Sequence, residues 1–231
     1  MAAVNRIPPL SESTSLLMAQ LMDPDHSLAD IVAIVDRDPV LTMQVLKIAN
    51  SAALARRASV TSVAEAVAYL GDKTVTGIAL SLCAGDLLDQ DLPGYMCKRG
   101  TLWRHSLTAA IAARELAGCS EHVVTSGTAY TAALLHDIGK AVLSAFTDGG
   151  DIMGDSFTAA SDSVDFLAVE RDALGIDHAD VGALLCVHWR MPQVLVQAVR
   201  FHHRPAESRA GSRALCYLVH LADHAAMSIG A

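Results

Sequence analysis

The sequence predicts an all-α fold, and three observations carry that expectation. Hydrophobic residues make up 52% of the chain but aromatics only 4%. Helix-capping residues stand in front of apolar runs at helical spacing, and one run restarts within one or two residues of the last. A core short of aromatics must be filled by Ala, Leu and Val, which are compatible with helices, while strand-building aromatics are scarce. At 231 residues the chain is long enough for one large core or two small packed lobes.

The elements follow in order. Ser27-Leu28-Ala29-Asp30 offers an N-cap with an acidic residue at the third position, and Ile31, Val32 and Val35 continue at helical spacing. Asp38-Pro39 puts a capping carboxylate before a proline at the first helical position, opening a helix through Leu41, Val45, Leu46 and Ile48 that ends at Asn50-Ser51. Ser62 to Glu65 reads as a capping box, Gly71 as the left-handed stop of its helix, and Asp72 as the cap of the next. Such short connections force neighbouring helices to pack. Between Asp86 and Gly100 the pattern weakens around Asp89, Asp91, Pro93 and Gly94, which predicts a boundary between one lobe over residues 1–90 and another over 101–231. The second lobe should hold helices near Thr101 to Ala117, His122 to Leu135, Ser163 to Leu174, His178 to His188, Pro192 to His202 and Ser212 to Ala226, with an exposed loop from Thr147 to Ser163.

Charge and cysteine usage narrow the function classes. A formal charge of −8 argues against general nucleic-acid or anionic-membrane binding, since both need clustered Lys and Arg. A local basic patch at Arg56 and Arg57 is the exception. The five cysteines form no CxxC pair and are expected to be buried thiols in a reducing cytoplasm, neither a disulfide framework nor a zinc site. No signal peptide is recognisable at the N-terminus, and the apolar windows fall short of the ~20 residues needed to cross a bilayer. A cytoplasmic protein is expected.

His136-Asp137, followed by Ile138-Gly139-Lys140, is the most informative segment. An imidazole and a carboxylate on consecutive residues near a helix end can both reach one divalent cation, and Gly139 lets the backbone turn without a side chain in the way. His105 in the preceding helical segment and Asp223 in the last complete a set of two imidazoles and two carboxylates. That set suits Mn, Fe, Mg or Zn, and could lower the pKa of bound water and orient a phosphate. His178, four residues before Gly182, and the pair His202-His203 could extend it to a second metal. Lys140 would then neutralise a phosphate beside the cation. Each residue also has a plainer reading: histidines bonded to backbone carbonyls, Asp223 as a cap or arginine partner, Lys140 as a solvated helix-terminal residue. His26, His122, His188, His220 and His224 read as surface or core-edge residues.

With these residues in view, the chain closely resembles the HDOD family, the HD-related output domains of bacterial signalling proteins. In the first half the likeness lies in Ile7-Pro8-Pro9-Leu10, Asp36-Arg37-Asp38-Pro39 and Leu46-Lys47-Ile48-Ala49-Asn50-Ser51. In the second it lies in Trp103-Arg104-His105, Leu135-His136-Asp137-Ile138-Gly139, Glu170-Arg171, Gly175-Ile176-Asp177-His178, Trp189-Arg190-Met191-Pro192 and His202-His203. The resemblance implies an N-terminal helical lobe packed on an HD-like five-helix lobe of the metal-dependent phosphohydrolase superfamily. It also implies regulation more than catalysis. His178, His202 and His203 align with the related HD-GYP phosphodiesterases, but Arg204-Pro205-Ala206-Glu207 follows where those enzymes have Gly-Tyr-Pro, which argues against cyclic-di-GMP hydrolysis. Two functions are therefore expected to compete. One is a signalling module that binds a partner protein or small effector and carries a vestigial metal site. The other is a metal-dependent phosphohydrolase or phosphodiesterase acting on a nucleotide or cyclic nucleotide, with Asp137 and Lys140 in the chemistry.

Overall fold

The computed structural model describes residues 7, 10–23, 25–52, 60–119, 124–145 and 166–230. The Arg56 and Arg57 patch, the Thr147 to Ser163 loop, Pro8, Pro9 and the expected helix starts at His122 and Ser163 lie outside these residues. Among the described residues the regular structure is all helical, and the sole strand-like pairing is an isolated antiparallel bridge between Leu92 and Cys97. No described helix is long and apolar enough to cross a membrane. The chain parts into two compact units, one over Pro9–Cys83 and one continuing from Ala84.

The first unit holds α1 (Glu12–Met22), α2 (Leu28–Val35), α3 (Pro39–Ala52), α4 (Val63–Leu70) and most of α5 (Asp72–Leu88). Its helices start where side chains satisfy the first free backbone donors. Ser27 accepts from the Asp30 N–H at 3.3 Å and Asp30 accepts from the Ser27 N–H at 2.9 Å, a complete capping box. Asp38 Oδ1 accepts from the amides of Val40 and Leu41 at 3.1 and 3.0 Å, with Pro39 in the first turn. Ser62 caps α4 through the Glu65 amide, but the Glu65 carboxylate reaches the Thr61 N–H rather than closing the box on Ser62.

Three local expectations shift. Gly71 has φ 79° and ψ 158°, which is positive-φ backbone open to glycine but not the left-handed helical region. Asp72 is the first residue of α5, and its carboxylate bonds the His26 ring at 2.9 Å instead of capping. Helix α3 runs on to Ala52. Asn50 lies within it and donates to the carbonyls of Leu46 and Val60, both at 2.9 Å, while accepting from the Val60 N–H at 2.8 Å. Beneath these caps the core is aliphatic, with Ile31, Val35, Leu41, Val45, Ala66 and Val67 buried.

The second unit holds α6 (Thr101–Cys119), α7 (Ser126–Leu135), α8 (Ile138–Ser144), α9 (Phe166–Leu174), α10 (His178–His188), α11 (Gln193–Phe201) and α12 (Arg213–Ser228). Helix α6 packs along α7 and α12. Buried alanines permit the close approach: Ala109, Ala110 and Ala113 on α6, and Ala129, Ala132 and Ala133 on α7. Helices α8 and α10 meet backbone to backbone. A methyl group at Gly139 would overlap the His178 carbonyl oxygen and come within 2.7 Å of the Gly182 nitrogen. The glycine in the segment after His136-Asp137 thus serves helix packing, and so brings Asp137 beside His178.

Candidate metal centre

Seven side chains from five segments of the second unit converge. His105 comes from α6, His136 and Asp137 from the junction of α7 and α8, His178 from the first position of α10, His202 and His203 from the end of α11, and Asp223 from α12. They fall into two groups whose ligand-type atoms lie within 4.8 Å of one another: Asp137, His178, His202 and His203 in one, and His105, His136 and Asp223 in the other. Asp137 stands at the N-cap of α8 yet makes no capping bond. A carboxylate there normally accepts from the helix amides; this one faces the imidazoles.

The distances link the two groups through Asp137. Its Oδ1 lies 3.2 Å from His178 Nε2 and 3.7 Å from His202 Nε2. Its Oδ2 lies 3.4 Å from His136 Nε2, 3.6 Å from His105 Nε2 and 2.6 Å from Lys140 Nζ. Asp223 Oδ1 is 3.1 Å from His105 Nε2 and 3.6 Å from His136 Nε2. His178 Nε2 and His203 Nε2 are 3.1 Å apart. His136, His178 and His202 have no exposed side-chain surface, while His105 and Lys140 are 12% and 25% exposed and form the open edge of the cluster.

The tautomers follow from the partners on the far side of each ring. His136 Nδ1 faces the Ala133 carbonyl at 2.6 Å and His202 Nδ1 faces the Val199 carbonyl at 2.7 Å. Carbonyls only accept, so each Nδ1 carries the hydrogen and each Nε2 is left to face the cluster. His178 Nδ1 is 2.8 Å from each oxygen of the buried Glu170 carboxylate and is set in the same way.

The electrostatics separate the rings. Burial disfavours charge on His136, but Asp137 and then Asp223 outweigh it and hold the imidazole up at about 10. Burial and then the neighbouring imidazoles push His203 down to about 3 and His202 well below its ordinary value. Burial acts to raise Asp137, yet His136 and Lys140 overcome it and keep the carboxyl well below the usual range. His202 and His203 are therefore neutral at physiological pH and Asp137 is ionised.

Two atoms test whether this set fits a cation. Asp137 Oδ1 and His202 Nε2 are buried and make no hydrogen bond. A carboxylate oxygen and a neutral imidazole nitrogen facing each other at 3.7 Å oppose lone pair to lone pair, an arrangement that costs stability until something positive lies between them. The cluster could bind a metal, and its donors, imidazole nitrogens with carboxylate oxygens, fit a divalent ion.

The residues singled out from the sequence, His105, His136, Asp137, Lys140, His178, His202, His203 and Asp223, are thus all brought together. The described histidines read as surface or core-edge residues stay outside the two ligand groups. His188 is exposed at the end of α10, His26 pairs with Asp72, and His220 bonds the His202 carbonyl at 2.8 Å, behind a ring of the cluster. Sequence reading passed over the contact between Glu170 and His178. Glu170-Arg171 entered that reading only as a segment of the family likeness, eight residues before the histidine.

Comparison with known proteins bears on the family and the fold. An uncharacterized protein of Treponema pallidum (strain Nichols) is 26% identical over 202 residues, and the chain spans only 38% of that relative's length while 87% of the chain is covered. Among solved structures, an HDOD domain protein of unknown function from Geobacter sulfurreducens is 25% identical with a TM-score of 0.79, over 97% of this chain and 74% of that one. A candidate phosphohydrolase from Shewanella amazonensis SB2B is 25% identical with a TM-score of 0.73, over 99% and 80%. A candidate signal transduction protein from Marinobacter aquaeolei VT8 is 26% identical with a TM-score of 0.74, over 99% and 54%. The HDOD domain profile matches residues 7–205, from the first unit through the His202-His203 pair, and the chain belongs to the HDOD family.

Proposed function

We propose that this protein is a cytoplasmic regulatory HDOD module that works by binding a signalling partner or small effector, and that its second unit holds a divalent cation. One observation carries the cation: the opposed, buried lone pairs of Asp137 Oδ1 and His202 Nε2. His178, His202, His203 and Asp137 would hold it, with His105, His136 and Asp223 as a second ligand group beside them. An imidazole-rich set favours Fe, Mn or Zn over Mg, which prefers oxygen ligands. A cation here supplies Lewis acidity toward a phosphate or carboxylate oxygen. The chain's own groups then have clear tasks. The carbonyls behind His136 and His202 orient the rings, burial keeps water from the inner ligands, and Lys140 sets a positive charge at the open edge.

The test is a titration of untagged, chelator-stripped protein with Mn or Zn, followed by thermal unfolding. A cation at about 100 times its Kd should stabilise the fold by about 2.7 kcal/mol, and Asp137→Ala should abolish the response. An unfolding curve indifferent to every ion would remove the cation from the proposal.

A metal-dependent phosphohydrolase is the second reading. It is favoured by Lys140, whose ammonium lies 2.6 Å from Asp137 and is partly exposed, where it could steady an anionic substrate. Turnover of bis(p-nitrophenyl) phosphate by the Mn-loaded protein, lost in Asp137→Ala, is expected under that reading. Loaded protein without turnover leaves the regulatory reading alone.

A further inference from the structure

Helix α9 places one carboxylate behind the cluster. Glu170 has no exposed surface, and His178 is the one residue with which it forms an ion pair among those described. Its Oε1 accepts from the Tyr95 hydroxyl at 2.8 Å, its Oε2 accepts from the His178 backbone N–H at 2.7 Å, and His178 Nδ1 lies 2.8 Å from both oxygens. A backbone amide can only donate, and a phenol beside a carboxylate donates as well. Glu170 therefore accepts from every side, and the His178 ring has one orientation open to it: hydrogen on Nδ1, Nε2 toward Asp137.

A buried carboxylate that no lysine or arginine bonds among the described residues is a costly structural device, because a hydrophobic side chain would fill the same volume without the desolvation penalty. The arrangement makes sense when positive charge lies beyond the ring. A carboxylate on the far nitrogen then fixes the tautomer and raises the donor strength of the near one. Tyr95 gives the carboxylate its own anchor. It is buried in a turn closed by reciprocal bonds between Leu92 and Cys97, 2.8 Å from Leu92 N–H to Cys97 O and 3.1 Å in the other direction. Glu170 itself stands on the Nδ1 side of the ring, away from Asp137, and so is not a ligand.

We infer that Glu170, braced by Tyr95, is the positioning residue of the cation centre, holding His178 as an Nδ1–H imidazole whose Nε2 serves as a ligand. The inference rests on the cation-binding reading above and adds a residue that acts through another. Glu170→Gln is the direct probe, since it keeps the volume but offers an amide that can donate to Nδ1 and drive the hydrogen to Nε2. Two measurements are needed on the untagged full chain: the affinity for Co or Zn alone, and the nitrogen-15 shifts of the His178 ring, which report the tautomer.

Wild type should bind the ion and show the Nδ1–H tautomer. Glu170→Gln should weaken binding by about 10- to 100-fold with a changed His178 pattern. Tyr95→Phe should weaken it by less, about tenfold at most, with the ring pattern partly mixed. A purely structural role would lower thermal stability and leave the tautomer and the affinity alone, and that result overturns the inference while the cation reading stands. If wild type binds no ion, the cation reading fails and takes the inference with it. Should Glu170→Gln not fold, unchanged affinity in Tyr95→Phe overturns the proposal.

Discussion

In the unit of Pro9–Cys83 none of the described acidic, basic or histidine side chains is buried, and several mark helix ends: Asp30 and Asp38 accept backbone amides, and Glu65 reaches Thr61. Its described buried polar residues are two threonines, Thr14 and Thr76. In the unit from Ala84 onward the described buried residues include His136, Asp137, Glu170, Asp177, His178, His202 and Asp223. Both units are helical and both have aliphatic cores, so helix packing alone does not require the difference. Ionisable groups enter a core when something else depends on them, because each costs several kcal/mol unless its charge is matched. The first unit is shaped by packing and capping. The second is shaped around a site and depends on close helix contact to assemble it.

Substitutions in the two units should therefore separate. The largest effect is expected from Gly139→Ala, where the added methyl overlaps the His178 carbonyl. Helices α8 and α10 must move apart, at a cost of about 3 kcal/mol, and Asp137 loses its place beside His178. Denaturant unfolding together with ion titration should show stability and binding falling as one. A stable variant with normal binding would mean that the backbone contact does not build the site.

Asn50→Ala should be milder and should fall on one side of the comparison only. It removes three hydrogen bonds, two that tie Val60 to α3 and one to the Leu46 carbonyl within the helix, for a loss of about 1–3 kcal/mol, while ion affinity stays unchanged. Equal loss of binding would show that the second unit's site leans on the first.

The smallest effect concerns His26. The Asp23 carbonyl and then Asp72 raise its pKa above the ordinary 6.5. Its bonds therefore favour the fold fully below 6.5 and lose that contribution as pH rises through the folded value. Asp72→Asn should bring the titration midpoint of His26 back toward 6.5, read by proton NMR. An unmoved midpoint would leave the Asp23 carbonyl as its sole support.

What the sequence disclosed depended on how local the cause was. Ser27, Asp38-Pro39 and the span His178–His188 were legible because a cap and its helix are neighbours in the chain. Asp72 misled for the opposite reason: His26, 46 residues away, takes the carboxylate that a local rule assigns to capping. The cluster residues stood out as residue types, and the family resemblance gathered them, but no spacing rule could tell that Asp137 gives up its capping bond. Glu170 surfaced only within the family likeness, and its bond to Tyr95 was out of reach, since a contact across 75 residues leaves no periodic trace.

Elemental analysis of untagged protein, purified without chelator, tests the central claim most directly. At least one transition-metal ion per chain should survive dialysis, and Asp137→Ala, purified alongside, should carry none. Wild-type protein that emerges metal-free and takes up neither Mn, Fe nor Zn on incubation would contradict the account.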